Sequence, residues 1–201
     1  MFAQVESGSI TSFPKGNKGI RIGDNNYPRT IYTLWTESER NAIGIYTVEI
    51  DNTNFKNQEW YINTDISYAF GSGKVTGSYG TAAAKAHADT LFTAQDETDG
   101  LGTEGDVAVE GLKTILIRQV KQEAEAVLSQ TDWYVTRKAE ESTAIPSAIT
   151  THRQAVRSKQ AAMETAITNA ADTPALETLY TYTTDSDGVT TRPLGEIPTL
   201  E

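Results

Sequence analysis

Cysteine is missing altogether, and among 201 residues there are only two His and two Met. The absence of Cys excludes disulfide staples, thiolate zinc sites and thiol nucleophiles. The only imidazoles, His87 and His152, belong to no zinc or triad spacing and read as structural. The chain has no glycine-rich phosphate loop and no Gly-x-Ser-x-Gly elbow, and adjacent acids such as Glu140 and Glu141 point apart instead of flanking a bond. No catalytic, cofactor-binding or metal-ligating residue is therefore nominated, and no enzyme activity is expected. No apolar run approaches the length of a membrane span, and the opening Met1-Phe2-Ala3-Gln4-Val5-Glu6 lacks the basic-then-apolar layout of a leader, so no membrane partner is expected. Bases are in the minority, 17 against 27 acids for a net charge of −10, which argues against a nucleic-acid partner. Apolar residues are also sparse at 38%, below the 45–50% typical of globular domains on a count that includes Gly. A core this thin suggests completion by neighbouring subunits.

What charge there is lies unevenly. Residues 1–85 are balanced, with eight bases and eight acids. Residues 86–110 carry Asp89, Asp96, Glu97, Asp99, Glu104, Asp106 and Glu110 and no base, residues 111–171 have a small basic excess, and residues 172–201 have six acids and only Arg192. These shifts predict an α+β chain of four parts: an antiparallel β-rich module over 1–85, an acidic linker over 86–110, a helical hairpin over 111–171, and an acidic tail with a terminal β-hairpin over 172–201. The acids of 86–110 and the Asp185-Ser186-Asp187-Gly188 run lack the fixed spacing of a calcium loop and read as solvated turns.

In the first part, Phe2–Val5 and Ser9–Phe13 flank a short polar turn, a hairpin signal. Thr36-Glu37-Ser38-Glu39 is a capping box, and Gly44 can close the short helix behind it. Ile45–Ile50, Glu59–Ile62, Asp65–Phe70 and Lys74–Tyr79 read as strands, the last two joined by Gly71-Ser72-Gly73. Trp35, Trp60 and Tyr68 suit the core of such a module, with a carbohydrate-binding platform as the alternative.

From Val107 the period becomes helical. Leu112, Ile115, Leu116, Val120, Ala124, Val127 and Leu128 recur at steps of mostly three and four residues. After a break at Ser129–Asp132, Ile149, Val156, Met163 and Ala170 recur every seven, while Arg153, Arg157 and Lys159 face elsewhere. The narrow stripe nominates Leu112, Leu116, Val120, Ile149, Val156 and Met163 as an oligomer or partner interface, with Trp133 packed at the connection between the helices.

Leu128-Ser129-Gln130-Thr131-Asp132-Trp133, followed by Ala144-Ile145-Pro146 and then His152-Arg153-Gln154-Ala155-Val156-Arg157, resembles a small helical domain of tailed-bacteriophage proteins, found in tail-fibre proteins, their assembly chaperones and virion proteins of marine phages. The motif residues carried over are Leu128, Thr131, Asp132, Trp133, Arg153 and Arg157. The opening hairpin Phe2–Thr11 and the segment Glu37–Tyr46 are similar to the starts of the same proteins. His152 stands where the family has Tyr, and the Trp-Pro ending of the chaperones is missing. The resemblance implies a non-enzymatic structural component of a phage particle, tail- or tail-fibre-associated, made in the host cytoplasm and located in the virion. Its partners would be other virion proteins and copies of itself, trimeric by analogy. An assembly chaperone not retained in the particle is the alternative. No catalytic residue or cofactor is implied.

Overall fold

A computed structural model describes residues 1–200 as a mixed α+β chain in two compact units, which divide after Ala83. In the first unit, β1 (Phe2–Glu6) and β2 (Ser9–Ser12) form the expected hairpin, turned at Ser7 and Gly8, both with positive φ. This left-handed pair matches the twist of the flanking strands. A second hairpin, β3 (Ile20–Ile22) with β4 (Asn25–Tyr27), was not anticipated, although Ile20-Arg21-Ile22 alternates ahead of the Gly23-Asp24 turn. Next come two short helices, α1 (Ile31–Leu34) and α2 (Glu37–Ala42). Thr36 and Glu39 make the full capping box at α2, the Thr36 amide donating to Glu39 Oε2 at 2.8 Å. Gly44 follows with φ +81°, and its carbonyl accepts from the Val5 amide at 2.8 Å.

β5 (Ile45–Asp51) then lies antiparallel to β1. After the two-residue β6 (Tyr61–Ile62), the strands β7 (Ile66–Gly71) and β8 (Lys74–Tyr79) form a hairpin over Ser72 and Gly73, again both at positive φ. The sheet order is β2-β1-β5-β8-β7. One pairing corrects the antiparallel expectation: β8 runs parallel to β5, with Val48 opposite Val75. Parallel neighbours need a long crossover, and residues 52–73 supply it. Ala3, Val5, Val48 and Val75 close one face of the sheet with Tyr46, Tyr68 and Phe70. The sheet curls until β2 and β7 approach, Phe13 stacking on Tyr68 at 4.7 Å. Ile31, Tyr32 and Ile45 form the opposite core under the β3–β4 hairpin.

The second unit begins near β9 (Ala83–Ala84). Residues 86–110 are not a structureless linker: β10 (Thr90–Leu91) pairs with β11 (Val107–Val109) around α3 (Ala94–Thr98), whose start has a Thr93–Asp96 capping box. The long helices are α4 (Leu112–Ser129) and α6 (Ser147–Asn169), with α5 (Asp132–Glu141) between them. Contacts of Lys113 with Thr168, Lys121 with Glu164 and Leu128 with Arg153 make α4 and α6 antiparallel. α7 (Thr173–Tyr180), capped by Asp172, precedes the terminal hairpin β12 (Thr183–Thr184) and β13 (Thr190–Thr191), which turns on Asp185–Gly188. Leu176 and Leu194 are buried, and Lys159 Nζ donates to the Leu194 carbonyl at 2.7 Å.

The apolar stripes are found where the periodicity puts them, but their role differs. Leu116, Val120, Ile149, Val156 and Met163 are buried inside the chain, α4 against α6, and Leu112 is half-buried beside them. They therefore form the core of the second unit, not an oligomer interface. A helix pair can satisfy its own seam when the connection lets it fold back, as α5 does here.

The acids of 86–110 have structural tasks. Asp89 Oδ1 accepts from the Gly111 amide at 2.6 Å and Asp89 Oδ2 from Thr114 Oγ1 at 2.8 Å, so this carboxylate caps α4 from outside the helix. Glu110 pairs with Arg118 at 2.6 Å. The bond from the Gly111 amide, then that from Thr114, holds the Asp89 carboxyl below its ordinary range, and Asp96 is lowered in the same way by Thr93. A lowered folded-state pKa adds stability that is present above the unfolded value and lost as pH falls through the folded one. Unfolding midpoints in urea should therefore drop between neutral pH and about pH 3, and Asp89→Asn should flatten part of that slope. An identical slope in the variant would remove Asp89 from the acid response.

Gly111 is required by space: a Cβ there would collide with the Ala88 backbone carbonyl and crowd the Asp89 amide. Gly111→Ala should cost about 1–3 kcal/mol through overpacking and should weaken the Asp89 cap. Thermal melts of the variant check this; an unchanged midpoint would show that the 86–89 segment moves aside freely.

Candidate functional site

The motif residues meet where α4 ends. A helix leaves its last carbonyls without intrahelical donors, and α4 ends with no basic residue in its final turn. The donor arrives from α6. Arg153 Nη1 donates to the Leu128 carbonyl at 2.7 Å and to Thr131 Oγ1 at 2.6 Å, while Nη2 lies 2.8 Å from Asp132 Oδ1. Thr131 Oγ1 itself donates to the Leu128 carbonyl at 3.0 Å. Arg153 and Thr131 are buried, and Asp132 remains in solvent. One planar guanidinium thus reads three acceptors on the α4–α5 corner, geometry that suits Arg and not Lys. Arg153 was expected to face away from the stripe; instead it occupies a buried position between Ile149 and Val156.

Trp133 also departs from expectation. It is 51% exposed on α5 and not packed between the long helices. Thr131 and Arg153 already fill the inside of the corner. The indole stacks on Tyr134 at 3.7 Å, and the Arg137 guanidinium lies over both rings, 4.7 Å from Trp133 and 5.4 Å from Tyr134. Val135 is exposed on the same helix. Tyr134, Val135 and Arg137 were not nominated from the sequence; Trp133 and Arg137 are spaced four apart, the signal that places them together.

Arg157 is exposed and lines an open groove of about 670 Å³ with Leu128, Gln160, Ala161, Glu164 and Thr165. Of the six motif residues, Leu128, Thr131, Asp132 and Arg153 therefore build one staple, Arg157 borders the groove beside it, and Trp133 faces solvent. The outer surface of α5 offers a rigid aromatic–cationic patch of the kind found at binding hot spots. The alternative platform of Trp35, Trp60 and Tyr68 is not assembled: Trp60 is 3% exposed, and Trp35 and Tyr68 are half-buried against Tyr27 and Phe13. Among the described residues there is no group of three His, Cys, Asp or Glu able to hold a metal, and no helix is long and apolar enough to cross a membrane. The chain matches no protein-family model, no curated protein and no solved structure.

Proposed function

We propose that this chain is a non-enzymatic structural component of a tailed-bacteriophage particle, tail- or tail-fibre-associated, that attaches to other virion proteins through the outer face of α5. The observation that carries this reading is the staple. Leu128, Thr131, Asp132 and Arg153, which support the likeness to the phage helical domain, cooperate in one corner that holds Trp133 and Arg137 outward. A motif whose polar members fix the backbone and whose aromatic faces solvent suits attachment better than catalysis. Self-association, trimeric by analogy with fibres, belongs to the same proposal. It rests on surfaces other than the α4–α6 seam, because that seam is internal.

Mass spectrometry of purified particles of the encoding phage should find the chain in stoichiometric amount. Finding it in infected-cell lysates and not in particles would overturn the virion reading in favour of the assembly chaperone. Light scattering then reads the oligomer mass.

Trp133→Ala separates attachment from folding. Because the indole is half in solvent, the substitution should change stability by no more than about 0.5 kcal/mol while reducing incorporation into particles. A large loss of thermal stability with normal incorporation would mean that Trp133 serves the fold alone.

A further inference from the structure

Two exposed surfaces of the second unit complement each other. The first is the outer face of α5. Its early turns carry Trp133, Val135, Arg137 and Lys138, and among the described residues neither cation has an ion-pair partner. The acid of these turns, Asp132, is already paired with Arg153. The Arg137 guanidinium is held over the Trp133 and Tyr134 rings, and a side chain fixed beforehand lowers the ordering cost of binding.

The second surface is the lobe formed by β10, α3 and β11. Leu91 and Val107 are cross-strand partners and so share one face of the ribbon. They are 49% and 47% exposed, and Leu101, just past α3, is 64% exposed. A two-stranded ribbon is marginal by itself, and this one leaves apolar side chains bare. Around them stand Asp96, Glu97, Asp99, Glu104 and Asp106, with no base in the segment and no ion-pair partner among the described residues. The bonds of Asp89 to Gly111 and Thr114 fix this lobe to the first turn of α4, while α5 starts just past the last residue of α4. The 18 residues of α4 span about 27 Å at the helical rise. The face and the lobe of one chain therefore stand apart, and they can meet only between copies.

We propose that the α5 face of one copy seats head to tail on the β10–β11 lobe of a second copy. Trp133 and Val135 pack on Leu91, Leu101 and Val107, and Arg137 and Lys138 meet the carboxylates of the lobe. The proposal rests on the reading of α5 as an attachment surface and names its occupant. Charge selects the second copy. A net charge of −10 sets like surfaces of two copies against each other, whereas this pairing puts the free cations of one on the free acids of the next and fixes their orientation. Glu140 and Glu141 lie at the other end of α5 and stay outside the contact. A contact between two different surfaces repeats from copy to copy, closing as a ring where the rotation allows and growing as a filament otherwise.

The test is light scattering and sedimentation of the purified full chain. Its mass should rise with concentration beyond two copies, and association should weaken about tenfold from low to molar salt. Trp133→Ala with Arg137→Ala removes the face, and Glu104→Lys with Asp106→Lys removes the lobe; each pair should weaken self-association about tenfold or more. Mixed in equal amounts, the two variants should form one-to-one dimers that grow no further, because one copy keeps an intact lobe and the other an intact face. A wild-type chain that stays monomeric or stops at two copies would overturn the proposal. Association indifferent to salt, or a variant mixture that stays monomeric, would do so as well. A monomeric chain whose incorporation into particles still falls on Trp133→Ala would leave the attachment reading standing with a different protein on α5, so the two readings fail separately.

Discussion

Val156→Asp abolishes the folded second unit. Val156 is fully buried at the middle of the α6 stripe, with Ile149 and Met163 one heptad away on either side. The substitution forfeits about 1.5–3 kcal/mol of apolar burial and forces a carboxylate into the apolar seam, a desolvation penalty of several kcal/mol more. Domains of this size have about 5–15 kcal/mol in total, so most of the helical ellipticity belonging to α4, α6 and α7 should melt below ambient temperature or be absent. Ala155→Asp is the control. It lies on the exposed side of α6 and should cost only the helix-propensity difference, about 0.7 kcal/mol or less. Equal damage from the two substitutions would show that α6 does not use this stripe.

Arg153→Ala gives the second large effect. The lost guanidinium removes the charged donor shared by the Leu128 carbonyl and the buried Thr131 hydroxyl, leaving the carbonyl with the weaker bonds from the Thr131 amide and hydroxyl. Hydrogen bonds from a charged group contribute about 1.5–3 kcal/mol each, and the contact with solvent-exposed Asp132 adds little because water screens it. With the packing of the buried side-chain stem lost as well, the expected total is about 3–5 kcal/mol, read from denaturant midpoints. Arg153→Lys should recover less than half, because one ammonium cannot reach three acceptors in a plane. Asp132→Asn should change stability by less than about 1 kcal/mol. Full recovery with Lys would reduce the staple to a simple charge effect.

The contrast between these two residues explains how far the chain could be read in advance. Val156, Met163 and Leu116 announced themselves because apolar residues at helical spacing bury together whatever the partner. The α2 start was equally plain, since Thr36 and Glu39 act within a turn of their own position. Arg153 was not, because arginine is rarely buried unless paired, and its partners lie 22 and 25 residues away. Its place on the buried line, four residues after Ile149 and three before Val156, was the available signal. Trp133 failed for the opposite reason: a large aromatic favours burial, but a corner already filled by Thr131 and Arg153 leaves it outside. The parallel pairing of β5 and β8 was hidden because β-branched residues on both faces of Ile45–Ile50 do not state a partner or its direction. Asp89 was hidden by distance, its amide partner being 22 residues further on.

The attachments of residues 85–89 carry a mechanical consequence. The Lys85 carbonyl accepts from Thr173 Oγ1, the Ala86 and His87 carbonyls from the Leu112 and Lys113 amides, and Asp89 grips Gly111 and Thr114. Tension entering the second unit along the chain is therefore shared at once between the starts of α4 and α7, instead of opening one bond after another from a free end. A segment anchored at several points within five residues works as a strain relief: the short turns of α3 and the β10–β11 pair lie behind the clamp and carry no load until it fails.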